Sequence, residues 1–137
     1  MIHHSGVSYQ SNPDQFLANN SYHERKFKYI GSKGFYLGYN YEISKMGKIT
    51  QAREDGEFTV ACFQEGMNNG KCIHICLDGN FEVEIPFSYQ IFALRDLLRK
   101  IRSEHKIEIN NIIIHKFYSK TICPGKNLDL NFIRKLA

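Results

Sequence analysis

Apolar residues in this chain gather in short clusters divided by polar, glycine-containing stretches, and the spacing inside each cluster predicts its element. Residues 88–104 are the clearest case. Ile91, Leu94, Leu98 and Ile101 recur at three- and four-residue intervals, so one stripe of a helix faces a core, with Ser88 as its capping residue. MIHH at the start reads as a short strand. LGYNYEI, residues 37–43, is rich in aromatic and β-branched positions and reads as a second, which Lys45-Met46-Gly47-Lys48 turns back into KITQA as a hairpin. CIHICL, residues 72–77, is a further strand, stopped by Asp78-Gly79-Asn80. The apolar run over 110–114 predicts a last strand buried on both faces.

Two weaker helices complete the pattern. Asn12-Pro13-Asp14 combines a capping residue with proline at the first helical position, predicting a helix from Pro13 to about Phe27 with Phe16, Leu17 and Phe27 among its few apolar positions. NLDLNFIRKL forms a short C-terminal helix. Residues 53–70 are polar, hold three glycines and predict a long irregular loop that shapes a cleft. The order implies a single α/β domain over residues 1–137, with a mixed central β-sheet flanked by helices.

Composition narrows this picture modestly. A chain of 137 residues fits one core that buries about two-thirds of the unfolded surface. No apolar run reaches the roughly 18 residues that a membrane span needs. MIHHSG lacks the basic and apolar segments of a secretory signal, so the expectation is synthesis in the cytoplasm, with the four cysteines as reduced thiols. The formal charge of +4 suits an anionic polymer, but the basic residues are scattered and make no nucleic-acid patch. Neither nucleic acid nor membrane is an expected partner, and no oligomer is predicted.

Candidate chemistry lies at the two ends of the chain. The apolar run ending at Ile114 delivers His115, and Cys123 follows eight residues later beside Pro124 and Gly125. Histidine and thiolate are ligands that zinc prefers. His3 and His4 offer a second histidine source, and adjacent strand residues point to opposite faces, so one of the two can reach a given ion. Two histidines and one cysteine leave a fourth position for water, as in a catalytic zinc site. Cys72, His74 and Cys76 alternate onto one strand face, but the outer pair would stand about 13 Å apart. That is too far to share one ion at zinc–sulfur distances of about 2.3 Å. Cys72 therefore reads as core.

Five stretches in order, IHHSG (2–6), LGYNYEI (37–43), GKITQARED (47–55), CIHICLDGNF (72–81) and HKFYSKTICPGKN (115–127), resemble the zinc-dependent N-acetylmuramoyl-L-alanine amidases. That family includes phage amidase endolysins and peptidoglycan recognition proteins, and the likeness spans nearly the whole chain. It implies the same α/β fold, one zinc ion (Zn2+) per monomer held by His3, His115 and Cys123, and peptidoglycan as substrate. His4 is then a supporting or packing residue. Tyr39 matches the active-site tyrosine, able to position water or donate to the oxyanion. Thr121 holds a position where relatives carry lysine or threonine and is expected to support the same step. Arg53 matches the arginine after the hairpin, where it could meet a stem-peptide carboxylate or serve in a structural ion pair. Cys76 stands where cytoplasmic muropeptide amidases have a catalytic glutamate, so it and His74 are expected near the pocket floor.

Two departures touch the substrate groove rather than the metal. Ala61-Cys62-Phe63 replaces a segment that often holds histidine, and Lys120 replaces a common proline. The resemblance implies cleavage of the bond between N-acetylmuramic acid and L-alanine, by an enzyme reaching the wall after release or non-classical export. The rival readings are a module that binds peptidoglycan without cutting it and a delivered antibacterial toxin with the same chemistry. With only Met1 and Ile2 ahead of His3, the first strand is expected to lean on the metal for order.

Overall fold

The computed structural model describes residues 1–9 and 15–137; the expected helix start at Asn12-Pro13-Asp14 lies outside the described residues. The elements are β1 (Ile2–His4), α1 (Gln15–Phe27), β2 (Tyr41–Ile43), β3 (Ile49–Gln51), β4 (Ile75–Leu77), α2 (Ser88–His105) and α3 (Leu130–Leu136), with 3-10 turns at Ile109–Asn111 and His115–Phe117. The sheet has the order β1-β4-β2-β3. β4 runs parallel to both β1 and β2, and β3 closes an antiparallel hairpin on β2. This is the mixed sheet with flanking helices that the pattern implies.

Register makes the two faces of the sheet unlike each other. Ile2, Ile75 and Tyr41 align in one row, and His4, Leu77 and Ile43 in another. Both rows face the core with Leu94, Leu97, Leu98 and Ile101 of α2 and with Ile114, Leu128 and Ile133. Each such aliphatic side chain contributes roughly 2 kcal/mol through burial. The row between them is His3, Cys76 and Glu42, which alternation turns to the opposite face. All three are buried there.

α1 covers that polar face with polar residues. Asn19 donates through Nδ2 to Glu42 Oε2 at 3.3 Å, and His23 Nδ1 accepts the Gly38 N–H at 3.1 Å. Gln15, Asn19 and His23 share one side of the helix by four-residue spacing. The weak apolar stripe of this segment thus has a physical cause: the helix packs on a polar surface.

Several expected boundaries move. The strand over 37–43 begins only at Tyr41, because Asn40 holds its own network: its carbonyl accepts both the Ala52 and Arg53 N–H, and its side chain bonds Glu54 O and the His74 N–H. The strand over 72–77 contracts to Ile75–Leu77, and Cys72 is half-buried rather than core. The strand over 110–114 is largely replaced by a turn. Asn111 and Ile112 donate to Glu108 O and Ile109 O, and Arg134 occupies the Ile112 carbonyl. One parallel bridge remains, Ile2 with Ile114. In α2 the cap is Phe87 rather than Ser88, and Phe87 N–H donates to Gln90 Oε1 at 3.3 Å.

Backbone bonds and packing hold β1 in the sheet. The Met1 ammonium donates to Ile73 O at 2.6 Å, Ile75 N–H donates to Met1 O at 3.0 Å and Ile2 N–H donates to Ile113 O at 2.9 Å. Met1 and Ile2 are both buried.

Candidate metal centre and active site

Three separate pieces of chain bring His3, His115 and Cys123 together. The alternation of β1 turns His3 to the polar face, while His4 points to the core, where its Nδ1 accepts the Phe81 N–H at 3.1 Å. His115 opens a 3-10 turn immediately after Ile114, which the bridge to Ile2 holds against β1. Cys123 sits in a loop tied at both ends of its peptide: Lys116 N–H donates to its carbonyl at 2.9 Å, and its own N–H donates to Thr121 Oγ1 at 3.2 Å. Gly125 lets this loop close. It lies at φ +95°, and a Cβ there would stand 2.3 Å from the Phe81 carbonyl carbon.

The donor atoms of these three residues all lie within 4.8 Å of one another. Cys123 Sγ is 3.9 Å from His3 Nδ1. Tetrahedral zinc would hold a sulfur and a nitrogen about 3.6 Å apart, given bond lengths of about 2.3 and 2.0–2.1 Å. His115 Nε2 is buried and has no hydrogen-bond partner among the described residues, an arrangement that costs stability unless a ligand satisfies it. Burial holds His3 well below the usual imidazole range and lowers His115 as well, so both rings are neutral and can donate a lone pair. Burial pushes the Cys123 thiol up to about 12, against the opposing effect of the His4 N–H. The donor set therefore fits a borderline-soft divalent ion, whose charge would displace the thiol proton. The other grouping of ligand types among the described residues, Asp55, Glu104 and His105, is only partly buried at Asp55 and exposed at the other two, and its His105 is paired with Asp55.

Tyr39 flanks the cluster, with its ring centroid 5.0 Å from that of His3. Burial of its phenol end raises its pKa well above 10, which keeps it a proton donor. The Cys76 thiol nearby reinforces that rise. Cys76 is fully enclosed beneath Tyr39, so it does not reach the pocket surface expected of it. Thr121 lies with His115 on an open depression also lined by Phe63, Gln64, Tyr118, Ser119 and Lys120. A separate cavity of about 340 Å³ between Met1, Cys72 and Ile101 contains none of the three donors. Cys62 is buried, its Sγ 3.4 Å from Ser119 Oγ in the wall behind the depression.

Of the two roles expected for Arg53, the structure favours the structural ion pair over the substrate contact. It is fully buried, donating to Leu37 O and Tyr29 O at 2.7 Å, to Phe58 O at 3.3 Å and to Glu57 Oε1 at 3.4 Å. Its guanidinium lies 4.8 Å over the Tyr29 ring. With its donors turned to interior partners, it knits the loop after the hairpin. Conversely, His74 proves closer to the chemistry than its sequence position suggests. Its Nδ1 is 2.9 Å from His3 Nε2, and its Nε2 is 2.8 Å from Met67 O. Period-two alternation with Cys76 was the available signal; the parallel register that sets it beside His3 was not readable.

A family model described as N-acetylmuramoyl-L-alanine amidase matches residues 1–126. Peptidoglycan-recognition protein SD of Drosophila simulans is 28% identical over 93 residues, which is 67% of this chain and 48% of that protein. The chain thus spans about half the length of this curated relative. Among solved structures, the N-acetylmuramoyl-L-alanine amidase LysC from Clostridium intestinale has a TM-score of 0.78 at 23% identity, over 98% of this chain and 80% of that one. Human PGRP-IBETAC, solved in complex with glycosamyl muramyl pentapeptide, has a TM-score of 0.74 at 19% identity, over 96% of this chain and 78% of that one. The fold is shared with both.

Proposed function

The chain belongs to the N-acetylmuramoyl-L-alanine amidase family, and we propose that it is a zinc-dependent peptidoglycan hydrolase cutting the amide between N-acetylmuramic acid and L-alanine. The observation that carries this reading is the convergence of donor atoms of His3, His115 and Cys123 within 4.8 Å of one another, with His115 Nε2 buried and unpartnered among the described residues. A module that only binds its ligand has no chemical need for such a donor set. A zinc ion held by these three residues supplies an acidified water and a polarised scissile carbonyl.

The chain's own residues do the rest. Tyr39, kept protonated by burial, offers a phenol proton to the oxygen on which negative charge develops. Thr121 Oγ1 accepts the Cys123 N–H, so its own hydroxyl proton is available to the substrate carbonyl. The depression along Phe63, Tyr118 and Lys120 receives the glycan–peptide junction, with Phe63 exposed as an apolar contact. The action is at the cell wall, where that bond lies.

Mass spectrometry of purified muropeptides incubated with zinc-loaded protein tests the reading. The expected products are a peptide with a free L-alanine amino terminus and a glycan with a free lactyl carboxylate. Intact muropeptide, or cleavage at a different bond, overturns it.

A further inference from the structure

His3 has two ring nitrogens, and only an unprotonated one can hold a metal. Nδ1 is the nitrogen near Cys123 Sγ, at 3.9 Å, whereas Nε2 lies 2.9 Å from His74 Nδ1. Two imidazole nitrogens at that distance need one proton between them, and the far end of the chain of bonds decides whose it is.

That far end is a carbonyl. Met67 O stands 2.8 Å from His74 Nε2 and can only accept, so His74 Nε2 carries the proton. A neutral imidazole has a single N–H, so His74 Nδ1 is an acceptor. His3 Nε2 must then be the donor, which leaves the lone pair of His3 on Nδ1. His74 is fully buried, and no carboxylate among the described residues is its hydrogen-bond partner, so the neutral ring, with one N–H to Met67 O and one acceptor toward His3, is the one that fits. The backbone that carries the ring is also held: His74 N–H donates to Asn40 Oδ1 at 2.8 Å, and its carbonyl accepts from Asn40 and Tyr41.

We propose that His74 is a positioning residue for the metal centre, and that the relay from Met67 carbonyl through His74 to His3 locks His3 in the tautomer that presents Nδ1. This deepens the zinc reading and rests on it. Partners of this type commonly raise metal affinity by about 10–100-fold. The relay also couples the polar loop to the metal, because Met67 is held beside Asn68, which bonds Thr59, Ala61 and Cys62.

Long-range nitrogen–proton NMR correlations of the histidine rings, recorded on metal-free protein, test the first half. The expected result is His3 protonated on Nε2 in the wild type; protonation on Nδ1 overturns the relay. Zinc affinity from chelator competition tests the second half. His74→Leu is expected to weaken zinc binding 10–100-fold and to mix the His3 tautomers. His74→Gln, whose amide can donate to Met67 and accept from His3, is expected to recover affinity to within a few-fold. Unchanged affinity in folded His74→Leu, or an equal loss in His74→Gln, overturns the proposal; should the leucine variant fail to fold, the glutamine variant and the wild-type tautomer still decide. A wild type that shows the Nε2–H tautomer but binds no zinc refutes the metal reading and leaves the relay standing.

Discussion

The backbone N–H of His4 donates to Cys123 Sγ at 3.3 Å, so the strand that carries the first histidine also fastens the thiol of the distant loop. One residue of β1 thus faces the donor cluster while its neighbour's amide steadies the cysteine. Removing the thiol should loosen the loop as well as delete a ligand.

Cys123→Ala is expected to abolish stoichiometric zinc, which should be one per monomer in the wild type. Elemental analysis after dialysis reads this directly, and undiminished zinc in the variant would remove Cys123 from the ligand set. In the wild type, zinc at a hundredfold excess over Kd should add about 2.7 kcal/mol to stability, seen as a higher Tm than in chelator.

Tyr39→Phe takes away one hydroxyl and leaves the ring packed beside His3. Loss of a single oxyanion donor lowers turnover by roughly 10²–10³. That fall is expected with zinc content and Tm close to wild type. Normal muropeptide cleavage by the variant would exclude Tyr39 from the catalytic step.

Arg53→Leu should affect folding rather than substrate affinity. It strands the carbonyls of Leu37, Tyr29 and Phe58, and breaking a buried charged network costs about 3–5 kcal/mol. Denaturant titration is expected to show that loss, while KM of the remaining folded enzyme stays near wild type. A stable variant with a large rise in KM would restore Arg53 to the substrate groove.

Acid should destabilise the fold through its buried histidines. Burial lowers His4 and His23 to about 4 from an ordinary value near 6.5. The unfolded chain therefore binds more protons between those values, so stability is full above about pH 6.5 and declines as pH falls toward 4. Urea midpoints across this window, with NMR titration of His23, check the sign. A midpoint that rises on acidification contradicts it.

Metal removal should leave β1 in place. Ile2 N–H is bonded to Ile113 O, and its side chain is buried. Hydrogen exchange with and without chelator is expected to show the same protection at Ile2. Selective exposure of residues 1–7 in chelator would mean the strand depends on zinc after all.

Local periodicity and chemistry determined a good deal by themselves. The i, i+3, i+4 spacing in α2 marked its buried stripe because a helix offers one face to a core whatever lies opposite. The residue types of His3, His115 and Cys123 carried their affinity for a soft ion because ligand chemistry belongs to the side chain. Three matters belonged to the tertiary structure. The register His3–Cys76–Glu42 joins strands far apart in sequence, and no local pattern encodes which residues meet across a parallel pair. Arg53 became interior scaffolding because the carbonyls it satisfies come from several separate segments. His74 became the partner of His3 for the same reason: a hydrogen bond across 71 positions of sequence exists only once the sheet has closed.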